Sequence, residues 1–137
     1  MVKLDKIYTR GGDSGETSLG DGSRVAKHSL RVHAQGDIDE TNATIGIARR
    51  SATPESADAV LARIQNDLFD LGADVTRPGS DHTDGSLRIQ PAQVERLETE
   101  IDAANENLEP LRSFVLRGGT DFAAALHLAC TVCRRAE

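Results

Sequence analysis

Apolar residues recur along this chain at alternating spacings of three and four, the pattern of helices that each bury one face. The first seam runs Ala34, Ile38, Thr41, Ile45, Ala48 and predicts a helix from Leu30 to about Arg50. Thr41 is its odd member, a polar side chain on an otherwise apolar stripe. A second seam, Leu61, Ile64, Leu68, Leu71, Val75, predicts a helix from about Pro54 to Val75. The stretch Thr76 to Gln90 carries Pro78, Gly79, Asp81, Asp84 and Gly85 and reads as a loop. Pro91 suits the first turn of a third helix, whose face is marked by Val94, Leu97, Ile101 and Leu108 and which Pro110 ends. Ser113 to Arg117 reads as a short extended piece and Gly118-Gly119 as a turn. Thr120 then caps a fourth helix with Phe122, Leu126, Ala129 and Cys133 on one stripe.

Ahead of these helices, residues 8–27 hold five of the chain's 12 glycines. No helix or strand period survives that density, so the segment reads as a glycine-rich loop. There are no internal repeats and no linker. The expected architecture is all-α: an up-down helix bundle in a single domain, 1–137, preceded by the glycine-rich N-terminal loop.

Composition supports this picture. With 38% hydrophobic and 28% charged residues the chain is globular. Its only aromatics are Tyr8, Phe69, Phe114 and Phe122, and there is no Trp. The core must therefore come from Leu, Ile, Val and Ala, which favours packed helices over a sandwich of strands. A net charge of −6 argues against a nucleic-acid partner, which needs a basic face, but leaves room for a small anionic ligand. No apolar run approaches the roughly 20 residues that span a membrane. The start, Met1-Val2-Lys3-Leu4-Asp5, lacks a secretory signal, so the expected location is cytoplasmic.

Candidate chemistry begins with the loop. Glycines let backbone N–H groups approach phosphate oxygens, Thr17 and Ser18 add hydroxyl donors, and Arg10, Arg24 and Lys27 add charge. The Gly-Lys-Ser/Thr ending of an ordinary P-loop is absent, and a plain surface loop fits the same composition. Arg134-Arg135 with Glu137 offers two guanidinium groups to a polyphosphate, or equally a solvated helix end. Asp37-Ile38-Asp39-Glu40-Thr41-Asn42 starts like a calcium loop. Asn42 stands where that loop needs Gly, and Ala48 where it needs Glu. Asp39 suits instead a pairing with a cation from another helix or subunit. His127, Cys130 and Cys133 have zinc-like spacing, with His28, His33 or His82 as a fourth ligand. On an intact helix, however, His127 and Cys133 are about 9 Å apart along the axis and point about 120° apart. The two cysteines are too few and too local for a disulfide framework.

Two stretches together resemble a known family. Lys6-Ile7-Tyr8-Thr9-Arg10-Gly11-Gly12-Asp13-Ser14-Gly15-Glu16-Thr17-Ser18-Leu19, followed by Arg24-Val25-Ala26-Lys27, resembles the N-terminal signature of the PduO-type ATP:cob(I)alamin adenosyltransferases. Phe114-Val115-Leu116-Arg117-Gly118-Gly119-Thr120, then Ala124-Ala125-Leu126-His127 and Thr131 through Glu137, resembles their second signature. Asp37 through Asn42 with Ile45-Gly46 is similar to the segment between. The resemblance implies a ferritin-like bundle assembled as a homotrimer with the active site between subunits. It implies transfer of the 5′-deoxyadenosyl group of ATP to the Co(I) of a reduced corrinoid, giving adenosylcobalamin and triphosphate. By position, Thr9, Arg10, Gly11, Gly12, Thr17, Ser18 and Lys27 would bind ATP from one subunit, and Arg134, Arg135 and Glu137 from its neighbour. Mg2+ would bridge phosphate oxygens with no metal ligand from the protein. Phe114 would pack under the corrin of cobalamin. Asp39 would have a structural, inter-subunit role, and no residue would act as a nucleophile. The protein partner the resemblance implies is a corrinoid reductase or an adenosylcobalamin-dependent enzyme.

The chain departs from the family pattern in places. Cys130 stands where an Arg usually pairs with the Asp matching Asp39, Arg117 where a Pro precedes Gly-Gly, and Gly11 where Thr is common. Thr41 replaces a Leu, and His33 and Gln35 replace a Glu and an aromatic. Measured against the family, the chain is expected to lack the final helix and to be C-terminally shortened. A second reading keeps the fold and drops turnover: a non-catalytic nucleotide- or corrinoid-binding homotrimer, or a degenerate fragment of such an enzyme.

Overall fold

The computed structural model describes residues 5–51, 54–79 and 85–137. Met1 to Leu4 of the N-terminus and Asp81, His82 and Asp84 of the connecting loop lie outside these residues. The elements in order are β1 (Glu16–Ser18), β2 (Arg24–Ala26), α1 (Leu30–Arg49), α2 (Glu55–Val75), α3 (Pro91–Asn105) and α4 (Asp121–Ala136).

All four expected helices form, within a residue or two of their sequence bounds except at the end of α3. α1 lies at the centre, packed against both α2 and α4. Ile45, Leu61 and Ala129, one from each helix, make the buried cluster, with Ile64, Leu68, Phe122 and Leu126 packed against it. The seam of α1 is buried at Ile38, Thr41, Ile45 and Ala48 as its spacing requires, and Thr44 joins it. Both threonines escape the cost of a buried hydroxyl by bonding back to their own helix. Thr41 Oγ1 donates to the Asp37 carbonyl and Thr44 Oγ1 to the Thr41 carbonyl, each at 2.8 Å. On α4 the buried positions are Ala129 and Val132, while Cys133 is exposed. Phe122, Leu126 and Ala129 lie on the core side as their spacing expects, and only in the last turn does Val132 take the buried place expected of Cys133.

A polar zip joins α1 to α2. Asn42 Nδ2 donates to the Gln65 carbonyl at 3.0 Å, and Gln65 Nε2 returns to the Asn42 carbonyl at 3.0 Å. Arg49 then reaches Gln65 Oε1 at 2.8 Å and forks onto Asp58 at 2.7 and 3.0 Å. That fork holds the Asp58 carboxyl below its usual value and raises Arg49.

α3 opens with a capping box between Gln90 and Gln93 and with proline at its start. It buries no residue fully. It meets α2 through charged and amide side chains: Arg63 with Glu100, Arg96 with Asp67, and Gln93 Nε2 with Asp67 Oδ1 at 2.8 Å. α3 ends at Asn105, so Leu108 belongs to the following segment and not to its face.

The glycine-rich segment is not structureless. β1 and β2 pair antiparallel in the register Glu16↔Ala26, Thr17↔Val25, Ser18↔Arg24. Each strand is three residues long, too short for an alternation to be read from the sequence. The turn between them closes through Leu19 N–H to the Ser23 carbonyl at 2.8 Å. Asp21 Oδ1 accepts from Ser23 N–H at 2.9 Å and Ser23 Oγ at 2.6 Å, and these bonds hold its pKa below normal. Leu19 is buried, and Gly20 N–H donates to the Thr76 carbonyl at 2.9 Å, which docks the hairpin on the end of α2.

Candidate functional site

The N-terminal site residues gather around this hairpin. Thr17 and Ser18 lie on β1, and Lys27 follows β2. Thr9, Arg10, Gly11 and Gly12 form the arm that folds back over the hairpin, and Lys27 N–H closes it by donating to the Gly15 carbonyl at 2.9 Å. Arg24 ties arm and hairpin together: Nη2 donates to the Gly11 carbonyl at 2.8 Å and Nη1 to Ser18 Oγ at 3.1 Å. Its Nε lies 3.9 Å from the Glu16 carboxylate.

Two local features explain why these residue types stand here. Gly12 leaves the space that the Lys27 side chain occupies, since a Cβ on residue 12 would lie 2.7 Å from Lys27 Nζ and 2.9 Å from its Cε. Arg10 is the single non-glycine residue with positive φ, 60°, among the described residues. That left-handed backbone costs about 1–2 kcal/mol for an L-residue. It places the Arg10 guanidinium 5.6 Å from the Tyr8 ring centroid, a cation–π contact.

The second set sits at the end of α4. Arg135 is engaged within the chain, its Nε 3.3 Å from Asp37 and its Nη2 on Glu40, both on α1. Arg134 is exposed and has no side-chain partner among the described residues. Glu137 is exposed and lines an apolar groove of about 370 Å³ with Ala34, Ile38, Thr41, Leu68, Leu71 and Cys133. Asp39 is exposed and accepts from Gln35 Nε2 at 3.1 Å. Within one chain, among the described residues, no hydrogen bond or ion pair joins Arg134, Arg135 or Glu137 to the glycine arm.

Phe114 stands apart from both sets. It lies on the strap before α4 at 106% exposure, with Leu111 and Leu116 also exposed beside it. Arg134 lies thirteen residues, about 20 Å of helix rise, beyond Asp121 at the start of α4. Arg117 Nη1 contacts His127 Nδ1 at 3.5 Å. Among the described residues, no group of three or more His, Cys, Asp or Glu side chains comes together as a metal would need. In the sequence Arg24 reads only as positive charge near the loop. Its role as a clasp was invisible there, because the pairing that brings it to Ser18 rests on two three-residue strands.

Residues 7–137 match the model of the family described as cobalamin adenosyltransferase. The chain belongs to that family. It is an enzyme of the corrinoid adenosyltransferase kind. It is 48% identical over 141 residues to the corrinoid adenosyltransferase of Mycobacterium leprae, covering 99% of this chain and 74% of that protein. It is 46% identical over 136 residues to the cobalamin adenosyltransferase of Cupriavidus metallidurans, covering 98% of this chain and 71% of that one. A variant PduO-type ATP:corrinoid adenosyltransferase from Lactobacillus reuteri, solved in complex with cobalamin and ATP, superposes with a TM-score of 0.85. Its sequence identity is 33%, and the match covers 96% of this chain and 74% of that one. The all-α bundle expected from the helical seams is thus the family's fold. Within it the N-terminal arm is a hairpin-backed loop. No helix among the described residues is long and apolar enough to cross a membrane.

Proposed function

We propose that this chain transfers the adenosyl group of ATP to a reduced corrinoid as a cytoplasmic homotrimer, each site being built between two subunits. The observation that carries the reading is the clasped glycine arm, in which Arg24 holds the Gly11 carbonyl and Ser18 Oγ and the Lys27 ammonium lies beside Gly12. Thr9, Arg10, Gly11, Gly12, Thr17, Ser18 and Lys27 hold the polyphosphate of ATP through backbone amides, hydroxyls and charge. Arg134, Arg135 and Glu137 reach the same nucleotide from the neighbouring subunit. The lack of any intrachain bond between the two sets supports that division. Arg135, fixed by Asp37 and Glu40, arrives pre-oriented, and Arg134 brings an unshared charge.

Phe114 supplies the apolar surface under the corrin. An aromatic standing clear of its own chain is costly in water and is covered when a flat macrocycle packs on it. Asp39 lies at the subunit contact. Mg2+ would enter with the ATP phosphates and would supply charge neutralisation to the leaving triphosphate. The bond made joins the substrate's reduced cobalt to C5′ of ATP, and the bond broken is C5′–O to triphosphate. No side chain acts as nucleophile, so the protein contributes alignment and electrostatics. A corrinoid reductase supplies the reduced substrate, and an adenosylcobalamin-dependent enzyme takes the product.

The test is anaerobic: cobalamin reduced chemically, Mg-ATP and the pure chain, followed by visible spectroscopy. The expected result is a shift to the adenosylated spectrum together with a sedimenting species of three times the chain's 14.7 kDa. A folded trimer that binds ATP and gives no adenosylated product overturns the catalytic reading.

A further inference from the structure

We propose that Arg24 is a positioning residue for ATP: its guanidinium presets the glycine arm and aims two of its donors, without being the cation that receives the phosphates. The inference rests on the reading above that this arm holds ATP. The geometry begins with the fork. Nη2 takes the Gly11 carbonyl at 2.8 Å and Nη1 takes Ser18 Oγ at 3.1 Å, while Glu16 lies 3.9 Å from Nε. One planar group thereby spans the arm and the end of β1.

Two consequences follow from elementary geometry. In a trans peptide the carbonyl and the following N–H point in opposite directions. With the Gly11 carbonyl held by the guanidinium, the N–H of Gly12 faces the other way, and the carbonyl, which would repel a phosphate, is occupied. Ser18 Oγ, once it accepts from Arg24, has its own proton left to donate. The clasp thus converts a flexible glycine arm into a set of aimed donors before any ligand arrives, which removes part of the ordering cost of binding. Lys27 remains as the cation beside Gly12, with no side-chain partner among the described residues. A lysine at position 24 would carry the charge but not the fork, because an ammonium cannot hold two acceptors in one plane as a guanidinium does.

The experiment compares wild type, Arg24→Ala and Arg24→Lys in the anaerobic assay, with ATP and corrinoid varied separately. Because Arg24 is exposed and its bonds lie outside the helical core, thermal unfolding of all three is expected to coincide. Arg24→Ala is expected to raise KM for ATP about tenfold, equivalent to about 1.4 kcal/mol, with KM for the corrinoid unchanged. Arg24→Lys is expected to stay close to Arg24→Ala, and added guanidinium ion to restore part of the loss in Arg24→Ala alone. Amide exchange over residues 10–19 is expected to quicken in both variants while α1 and α4 stay protected. An unchanged KM for ATP, a parallel rise in both KM values, or full recovery by Arg24→Lys overturns the proposal. If wild type forms no product, the catalytic reading fails separately, and the dissociation constant of Mg-ATP by equilibrium dialysis decides the role of Arg24. Equal constants in wild type and Arg24→Ala overturn it, and a wild type that binds no ATP overturns both readings.

Discussion

Replacing Ile45 with alanine tests where the stability of this fold resides. Ile45 is 6% exposed and lies between Leu61 of α2 and Ala129 of α4, with Ile64, Leu68, Phe122 and Leu126 around them. Truncation removes three carbons, and at about 0.8 kcal/mol each the transfer cost is roughly 2.4 kcal/mol. Incomplete collapse of the space left behind adds about 1 kcal/mol, which gives about 3 kcal/mol in all. For a chain of this size that corresponds to a fall in Tm of about 10–15 °C. Ile101 is the control. It is the same residue type, on α3, but 63% exposed. Ile101→Ala is expected to cost under about 0.5 kcal/mol. The assay is urea unfolding by circular dichroism at matched protein concentration, with the slope checked so that only the midpoint moves. If Ile101→Ala costs as much as Ile45→Ala, the core is not the α1–α2–α4 cluster and α3 is buried in solution.

Three further outcomes are expected. Gly12→Ala places a Cβ where Lys27 Nζ and Cε now sit, so the lysine tip must move; KM for ATP should rise about threefold to tenfold, with Tm nearly unchanged, as read by steady-state kinetics and thermal unfolding. Phe114→Ala, which removes a side chain that touches nothing in its own chain, should leave Tm in place while raising KM for the corrinoid and sparing KM for ATP. The Arg49–Asp58 fork lowers the Asp58 carboxyl below its usual 3.8, so its contribution is present above that pH and is lost as pH falls through the folded value. The stability gap between wild type and Asp58→Asn should therefore be constant near neutrality and close in acid, measured by urea unfolding at a series of pH values.

The helices were legible because their information is local. A three-four seam states which face must be buried whatever lies opposite, and Ile38, Ile45, Ala48, Leu61 and Ala129 are buried as their spacing demands. Pro91 and Thr120 likewise marked helix starts through chemistry that acts within one turn; the Thr120 hydroxyl accepts from Ala123 N–H at 3.2 Å. The two signatures also stood in the linear order of residues, and they were sufficient to place the family.

Other features depended on residues far apart in sequence. Thr41 is the odd polar member of the seam and is the most deeply buried polar residue among the described residues, at 2% exposure, because its own helix supplies its acceptor. The hairpin at Glu16–Ala26 escaped notice because three-residue strands carry no period, and its stability comes from docking on the end of α2. α3 carries a seam yet buries no residue fully, since burial needs a partner surface and a seam states only the wish for one. The sequence by itself therefore determined the helices, the helix starts at Pro91 and Thr120, and the family. Only the tertiary structure decided which seams meet and that Arg24 is spent on the Gly11 carbonyl and Ser18. It alone left Phe114 outside its own chain's core. Local propensity acts over a few residues, whereas burial and side-chain pairing are properties of surfaces that exist only once the chain has folded.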